Sequence, residues 1–207
     1  IKEKYGFKSF MDSKETLKGK MCEQDGIGLV SKVVPRDVFR RKNDIRVKDH
    51  PEMIGECDID LGEKINEIED IKCSWDLSTF IKVAEWPEAY FAQGQVYMEL
   101  YNREKFSLHY CLVDTPEELI DREVRKAFYA YGGMGNQDPI YMEEYLQAEA
   151  EIRGNHIVSH IDPKLRVKTF EFTRDQSYID EIKYRVKYMR DLLPQISLTS
   201  KEIVYND

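Results

Sequence analysis

Gly55-Glu56-Cys57-Asp58-Ile59-Asp60 and Glu69-Asp70-Ile71-Lys72-Cys73 are the stretches that decide how this chain is read. Periodicity predicts strands over residues 53–61 and 66–73, joined by a turn containing Gly62 and Lys64. Side chains alternate along a strand, so Asp70 and Lys72 share a face. A turn centred on residues 62–65 sets Asp58 opposite Glu69 or Asp70, two carboxylates within about 5 Å of each other. Such neighbours repel until a proton, a lysine or a metal ion neutralises them. One lysine balances one charge, and a divalent cation handles the rest.

A third acid comes from the preceding helix, expected over residues 14–33 and ended by Pro35. Leu17, Met21, Ile27, Val30 and Val34 give it an approximate apolar stripe. Glu23 stands at i, i+4, i+7 spacing with Ile27 and Val30, on that stripe, where an ionised carboxylate is costly unless paired or bound to metal. Gly19, one turn earlier, is expected to let the helix approach the sheet closely. Oxygen ligands without His or Cys favour magnesium or manganese over zinc. A metal held by two carboxylates polarises a phosphodiester and acidifies bound water. A lysine on the same face orients the attacking water or takes its proton, and offers positive charge to the transition state. The alternative is a solvated acidic edge with Lys72 as an ion-pair partner.

Working outward, 207 residues with 42% hydrophobic and 12% aromatic content supply a sizeable core and argue against disorder. They are expected to form a single domain over 1–207, its catalytic core at about 14–115 and residues 115–207 completing it. Asp76 is placed to cap a helix reaching about residue 85, and Pro87 opens another running to about 101. A strand follows over 106–114. Thr115-Pro116-Glu117-Glu118 reads as a capping box, opening a helix that stops near Gly132-Gly133. Asp138-Pro139 starts a helix to about Gly154, 165–173 is a strand, and Ile179, Ile182, Val186, Met189 and Leu193 stripe a last helix over 176–193. The order is α-β-β-α-α-β-α-α-β-α. It predicts an α/β fold, a mixed central sheet flanked by helices, with the early hairpin central.

Gly-x-x-x-Glu at 19–23, Gly-x-x-Asp at 55–58 and Asp-x-Lys at 70–72 together resemble the PD-(D/E)XK nuclease superfamily, whose core is that of restriction endonucleases. Gln93-Gly94-Gln95-Val96-Tyr97 fits the Gln-x-x-x-Tyr motif of the RecB-like branch. With residues 71–75 and the strand Leu108-His109-Tyr110-Cys111-Leu112-Val113-Asp114, the pattern looks like the YqaJ and lambda-exonuclease type of phage recombination nuclease. The resemblance implies metal ligation by Asp58, Asp70 and the Ile71 carbonyl, with Glu23 in the same metal shell. Lys72 would serve the attacking water, and Gln93 and Tyr97 would contact DNA phosphate or brace the site. Mg2+ is the implied cofactor, with Mn2+ as a substitute. The implied activity is a deoxyribonuclease, an exonuclease on duplex DNA ends in recombination. A strand-annealing protein and a homo-oligomer are the implied partners, and the cytoplasm of a bacterial or phage-infected cell the implied location. Two rival readings are an inactive nuclease-fold binding module and a repair or restriction endonuclease. Cys57 stands where the motif's name has Pro, and Glu56 is an acid where a phosphate ligand is expected, which speaks against 5′-phosphate recognition there.

The net charge of −8 excludes a generic basic coat for nucleic acid, so DNA contact must be local. Arg36, Arg40, Arg41, Lys42, Arg46 and Lys48 either steer phosphates to the site or form a solvated loop. Lys183, Lys187 and Arg190 with Tyr184 and Tyr188 either face DNA or form the solvated back of the last helix. Trp75 either stacks on a base or is buried beneath the next helix. His156 and His160 have zinc-pair spacing but nothing completes the set, and Gly154 and Pro163 argue against a helix through them. Gly132-Gly133-Met134-Gly135-Asn136 reads as a turn. The four cysteines form no C-x-x-C pair and are expected as buried thiols. Ile1-Lys2-Glu3-Lys4 lacks the apolar stretch of a signal peptide, no apolar run reaches the roughly 18 residues of a membrane span, and the missing Met leaves room for residues upstream.

Overall fold

The computed structural model describes residues 13–135 and 138–195, so the N-terminal reading at residues 1–4 and Asn136 fall outside it. Helix α1 (Lys14–Val33) starts where the Ser13 hydroxyl accepts the Thr16 amide, an N-cap the helix signals did not include. The sheet is β1 (Ile59–Asp60), β2 (Glu67–Cys73), β3 (Lys105–Cys111) and β4 (Val167–Thr173), in that spatial order. β1 and β4 run antiparallel to their neighbours while β2 and β3 are parallel, so the sheet is mixed, as the element order predicts. Parallel neighbours need a crossover. Here it consists of α3 (Leu77–Lys82), capped by Asp76 as expected, and α4 (Glu88–Tyr101).

The hairpin is not central. β1 is an edge, and the centre is the β2–β3 pair. The strand expected over 53–61 is cut to two residues, preceded by one bridge between Val47 and Gly55. The ladder stops because the Asp58 side chain accepts the Ile71 amide at 2.7 Å, taking a donor that would otherwise extend the pairing. The turn after β1 is a single helical turn, α2 (Gly62–Ile65), closed by Asn66 in the left-handed region at φ 59°.

Each face of the sheet carries a core. Ile68, Met98, Phe106, Leu108 and Phe172 lie on the α4 side, and Cys22, Val30, Ile59, Ile71 and Cys111 on the α1 side. Close approach of α1 comes from Gly26, not Gly19. A Cβ on Gly26 would lie 2.6 Å from Ile71 Cγ2, whereas one on Gly19 would meet nothing within 4 Å. Lys18, on the buried face of α1, is wholly enclosed and donates to the Trp75 and Val113 carbonyls at 2.9 Å each, tying the ends of β2 and β3 to the helix.

The long β3–β4 connection holds α5 (Glu117–Ala130) and α6 (Pro139–His156). Pro116, not Thr115, is the α5 N-cap, without a side-chain cap. The expected capping box fails because Thr115 Oγ1 is engaged elsewhere, donating to the Trp75 carbonyl at 3.2 Å and lying 2.9 Å from His156 Nδ1. α6 passes through Gly154 and ends at His156, which is a buried hydrogen-bond partner. The last helix, α7 (Gln176–Leu192), buries only Ile179 of its stripe fully, and Met189 is exposed. All four cysteines are free, Cys73 half-buried and the other three buried.

Candidate active site

Alternation along β2 splits its acids between two environments. Glu67 and Glu69 turn to the α1 side, where arginines of the 34–43 connection meet them. Arg36 donates to Glu67 at 2.9 Å, and Arg40 closes on both Glu69 oxygens at 2.5 and 2.8 Å. Burial would raise the Glu69 pKa, but His109 and Arg40 hold it down at about 2. Arg40 is therefore a buried structural cation, not a free contact for DNA, whereas Arg41, Arg46 and Lys48 of the same stretch are exposed.

Asp70 faces the other way. It is completely buried, and neither carboxylate oxygen accepts a well-directed hydrogen bond; its partner is the Lys72 ammonium, an ion pair against Oδ2. The β1–β2 register pairs Ile59 with Glu69, which brings Asp58 opposite Asp70 and resolves the alternative left by the turn. Burial, then the Asp70 charge, pushes the Asp58 pKa up to about 7, against the Ile71 amide and Lys72. Lys72 is the mirror case. Burial would lower its pKa, but Asp70 and Asp58 hold the ammonium charged well above the ordinary lysine range. Its Nζ lies 5.1 Å from the centre of the Tyr90 ring.

α4 supplies the opposite wall. Gln93 Nε2 donates to the Tyr97 hydroxyl at 2.8 Å, so the two motif residues form one unit. Burial, then Asp70, pushes the Tyr97 pKa up to about 12. The ring packs where a Cβ on Gly55 would lie 2.9 Å from Tyr97 Cε1, so the glycine of Gly-x-x-Asp makes room for the tyrosine. Tyr90 precedes Gln93 by three residues and Tyr97 by seven, a spacing that marks it as a third member of this face; the sequence reading passed over it.

A pocket of about 480 Å³ opens here, bordered by Glu23, Asp58, Ile71, Lys72, Tyr90 and Gln93. Glu23 is half-buried on the pocket wall and paired with Lys42 at 2.7 Å, so it is not the costly buried charge that the helix stripe predicts. Trp75 is 6% exposed, with the Lys14 ammonium 4.6 Å over its ring and His156 edge-on at 4.8 Å. Burial wins over base stacking. Among the described residues, no three His, Cys, Asp or Glu side chains are gathered closely enough to hold a metal ion by themselves. The convergence of three acids thus reduces to a facing pair, Asp58 and Asp70, with Glu23 drawn to Lys42 at the rim.

That pair fits a divalent cation. Both donors are hard oxygens, Asp70 has no hydrogen bond to either oxygen, and burial, then the Asp70 charge, raises the pKa of Asp58. Negative charge exceeds what Lys72 alone can balance.

No family model and no curated protein matches the sequence. Among solved structures, a phage-related exonuclease from Haemophilus somnus 129PT matches with a TM-score of 0.67 and 26% identity, over 95% of this chain and 79% of that one. The chain is YqaJ- and lambda-exonuclease-like. The resemblance to PD-(D/E)XK nucleases carried by the four motifs therefore holds in the structure, with the mixed sheet flanked by helices. LHK-Exo, an alkaline exonuclease of Laribacter hongkongensis solved with dAMP, shares the fold of this nuclease-like chain with a TM-score of 0.54 and 14% identity, over 93% of this chain and 75% of that one. No helix among the described residues is long and apolar enough to cross a membrane.

Proposed function

We propose that this chain is a magnesium-dependent DNA exonuclease that acts on duplex ends in phage-type recombination, beside a strand-annealing protein. The observation that carries the reading is Asp70, a buried carboxylate with no hydrogen bond, facing Asp58 beneath an open pocket and paired with Lys72. The similarity in fold and sequence to a phage-related exonuclease supports the reading.

Asp58 and Asp70, with the Ile71 carbonyl, would hold the ion. When bound, the ion supplies charge neutralisation at the scissile phosphate and acidifies the attacking water. Asp70 keeps Lys72 charged, so in this arrangement Lys72 is a donor that orients the water and stabilises the developing phosphorane charge. It takes up the water's proton only once its pairing with Asp70 is relieved. Gln93 and Tyr97, joined by their hydrogen bond, set the far wall against which a DNA phosphate would be held.

The test is a magnesium titration on end-labelled linear DNA and on closed circular DNA. Cleavage of the linear substrate alone supports the reading. Cleavage of both makes the chain an endonuclease. A second reading, a nuclease-fold module that binds without cutting, draws on the lack of a three-carboxylate cluster among the described residues, and cleavage of neither substrate would favour it.

A further inference from the structure

Most cations that the sequence offers for DNA contact are already engaged. Arg36 and Arg40 serve Glu67 and Glu69, Lys42 serves Glu23, Lys183 serves Glu99, and Arg190 donates to the Pro51 carbonyl. A different set is only partly engaged. Arg122, Arg125, Lys126 and Tyr129 follow i, i+3, i+4, i+7 spacing on α5, on the side away from its buried Ile120 and Val124 and beside its buried Leu119, which lines the cavity floor with Leu17 and Trp75. This face and the first turn of α1 enclose a pocket of about 410 Å³, to which α1 contributes Lys14. Four cations meet one carboxylate there. Glu123 accepts from Lys14 at 3.1 Å and from Lys126 at 2.5 Å, while Arg122 and Arg125 have no acid or hydrogen-bond partner among the described residues. On a chain of net charge −8, this is a local basic cavity. It is also next to the chemistry, because Trp75 borders both this cavity and the one above Asp58 and Lys72.

We propose that the cavity between α1 and α5 binds the phosphodiester backbone of the DNA strand flanking the scissile bond. Arg122 and Arg125 are the phosphate ligands, and Lys14 and Lys126 supply the surrounding positive field. This placement rests on the nuclease reading above, but the contact itself is a binding event that can be measured without catalysis. The face also carries exposed Glu118 one turn before Arg122, but it borders a cavity, and Arg122 and Arg125 form no ion pair among the described residues.

The experiment compares wild type with the double variant Arg122→Gln/Arg125→Gln for binding of a labelled, tailed duplex in EDTA from 50 to 200 mM salt. Losing two phosphate contacts should weaken binding roughly 10- to 100-fold at the low-salt end and flatten the log–log salt slope by about 1.5. Hydrolysis of the p-nitrophenyl ester of thymidine 5′-monophosphate in magnesium, a substrate too short to reach the cavity, should proceed at the wild-type rate. Unchanged DNA affinity and slope would overturn the proposal. So would loss of binding to polyglutamate with DNA binding intact, because the cavity would then be a site for an acidic protein. If wild type hydrolyses nothing yet the variant shows the affinity and slope changes, the DNA site stands and the catalytic reading falls.

Discussion

Asp58 accepts the Ile71 amide hydrogen at 2.7 Å while facing Asp70 across the end of the β1–β2 ladder. One hydrogen bond thereby ends a strand and presents a carboxylate. The cost is repulsion from Asp70. Between about pH 4 and pH 7 the folded protein holds a proton on Asp58 that the unfolded chain has released, so metal-free stability should fall as pH rises through that window and level off above it. Asp58→Asn keeps the acceptor and removes the charge. Denaturant melts in EDTA at pH 8 should show the variant about 1–3 kcal/mol more stable than wild type, and magnesium should raise the wild-type midpoint but not the variant's.

Lys72→Ala should reduce cleavage of linear DNA by 100-fold or more, about 3 kcal/mol of transition-state stabilisation. It should leave magnesium-dependent DNA binding in place, as read by gel shift. Cleavage at the wild-type rate would remove Lys72 from the chemistry.

The Glu69–Arg40 pair predicts a separate acid limb. Glu69 titrates near 2 in the folded protein, below its unfolded value, so its stabilisation is complete above about pH 4.5 and lost as pH falls toward 2. Arg40→Met would leave a buried carboxylate without its main partner. A loss of about 3–5 kcal/mol at pH 7 is expected in denaturant melts, shrinking as the solution is acidified toward pH 4.

Lys18 has the opposite sign. Burial pushes its pKa down to about 8, so the unfolded chain binds the extra proton between about pH 8 and 10.5, and stability gains with pH across that interval. Subtracting the Lys18→Met profile from the wild-type profile isolates the gain, and a flat difference would count against a buried ammonium. The variant should also lose about 1–3 kcal/mol at neutral pH because the Trp75 and Val113 carbonyls lose their donor.

Gly26→Ala should force α1 away from β2. Its Cβ would meet Ile71 Cγ2 at 2.6 Å and Cys73 Sγ at 3.2 Å, an overpacking that costs about 1–3 kcal/mol. Gly19→Ala, with open space around the new methyl group inside α1, should instead raise stability by about 0.5–1 kcal/mol.

What could be read from the residues alone was whatever depends on short-range periodicity. Alternation put Asp70 and Lys72 on one face, and helical spacing joined Gln93 to Tyr97. Long-range pairing had no such signal. Arg40 finds Glu69 across 29 residues and Thr115 finds His156 across 41, which diverted the first from a DNA-steering role and the second from capping α5. Gly19 and Gly26 look alike on a helix, and only the position of β2 separates them. Glu23 matched the apolar spacing, but whether it needed a metal depended on Lys42, which arrives from the following loop.

The parallel pairing of β2 with β3 bears on how the protein reaches its native state. No local hairpin can join these two strands; residues 74–104 must first be looped back, and the chain pays that closure entropy before any contact along the pair repays it. Asp70 lies on β2 inside this junction, so its burial depends on that closure. The two acids can meet sooner, across the local β1–β2 turn, but water screens their repulsion until the sheet and α4 enclose Asp70.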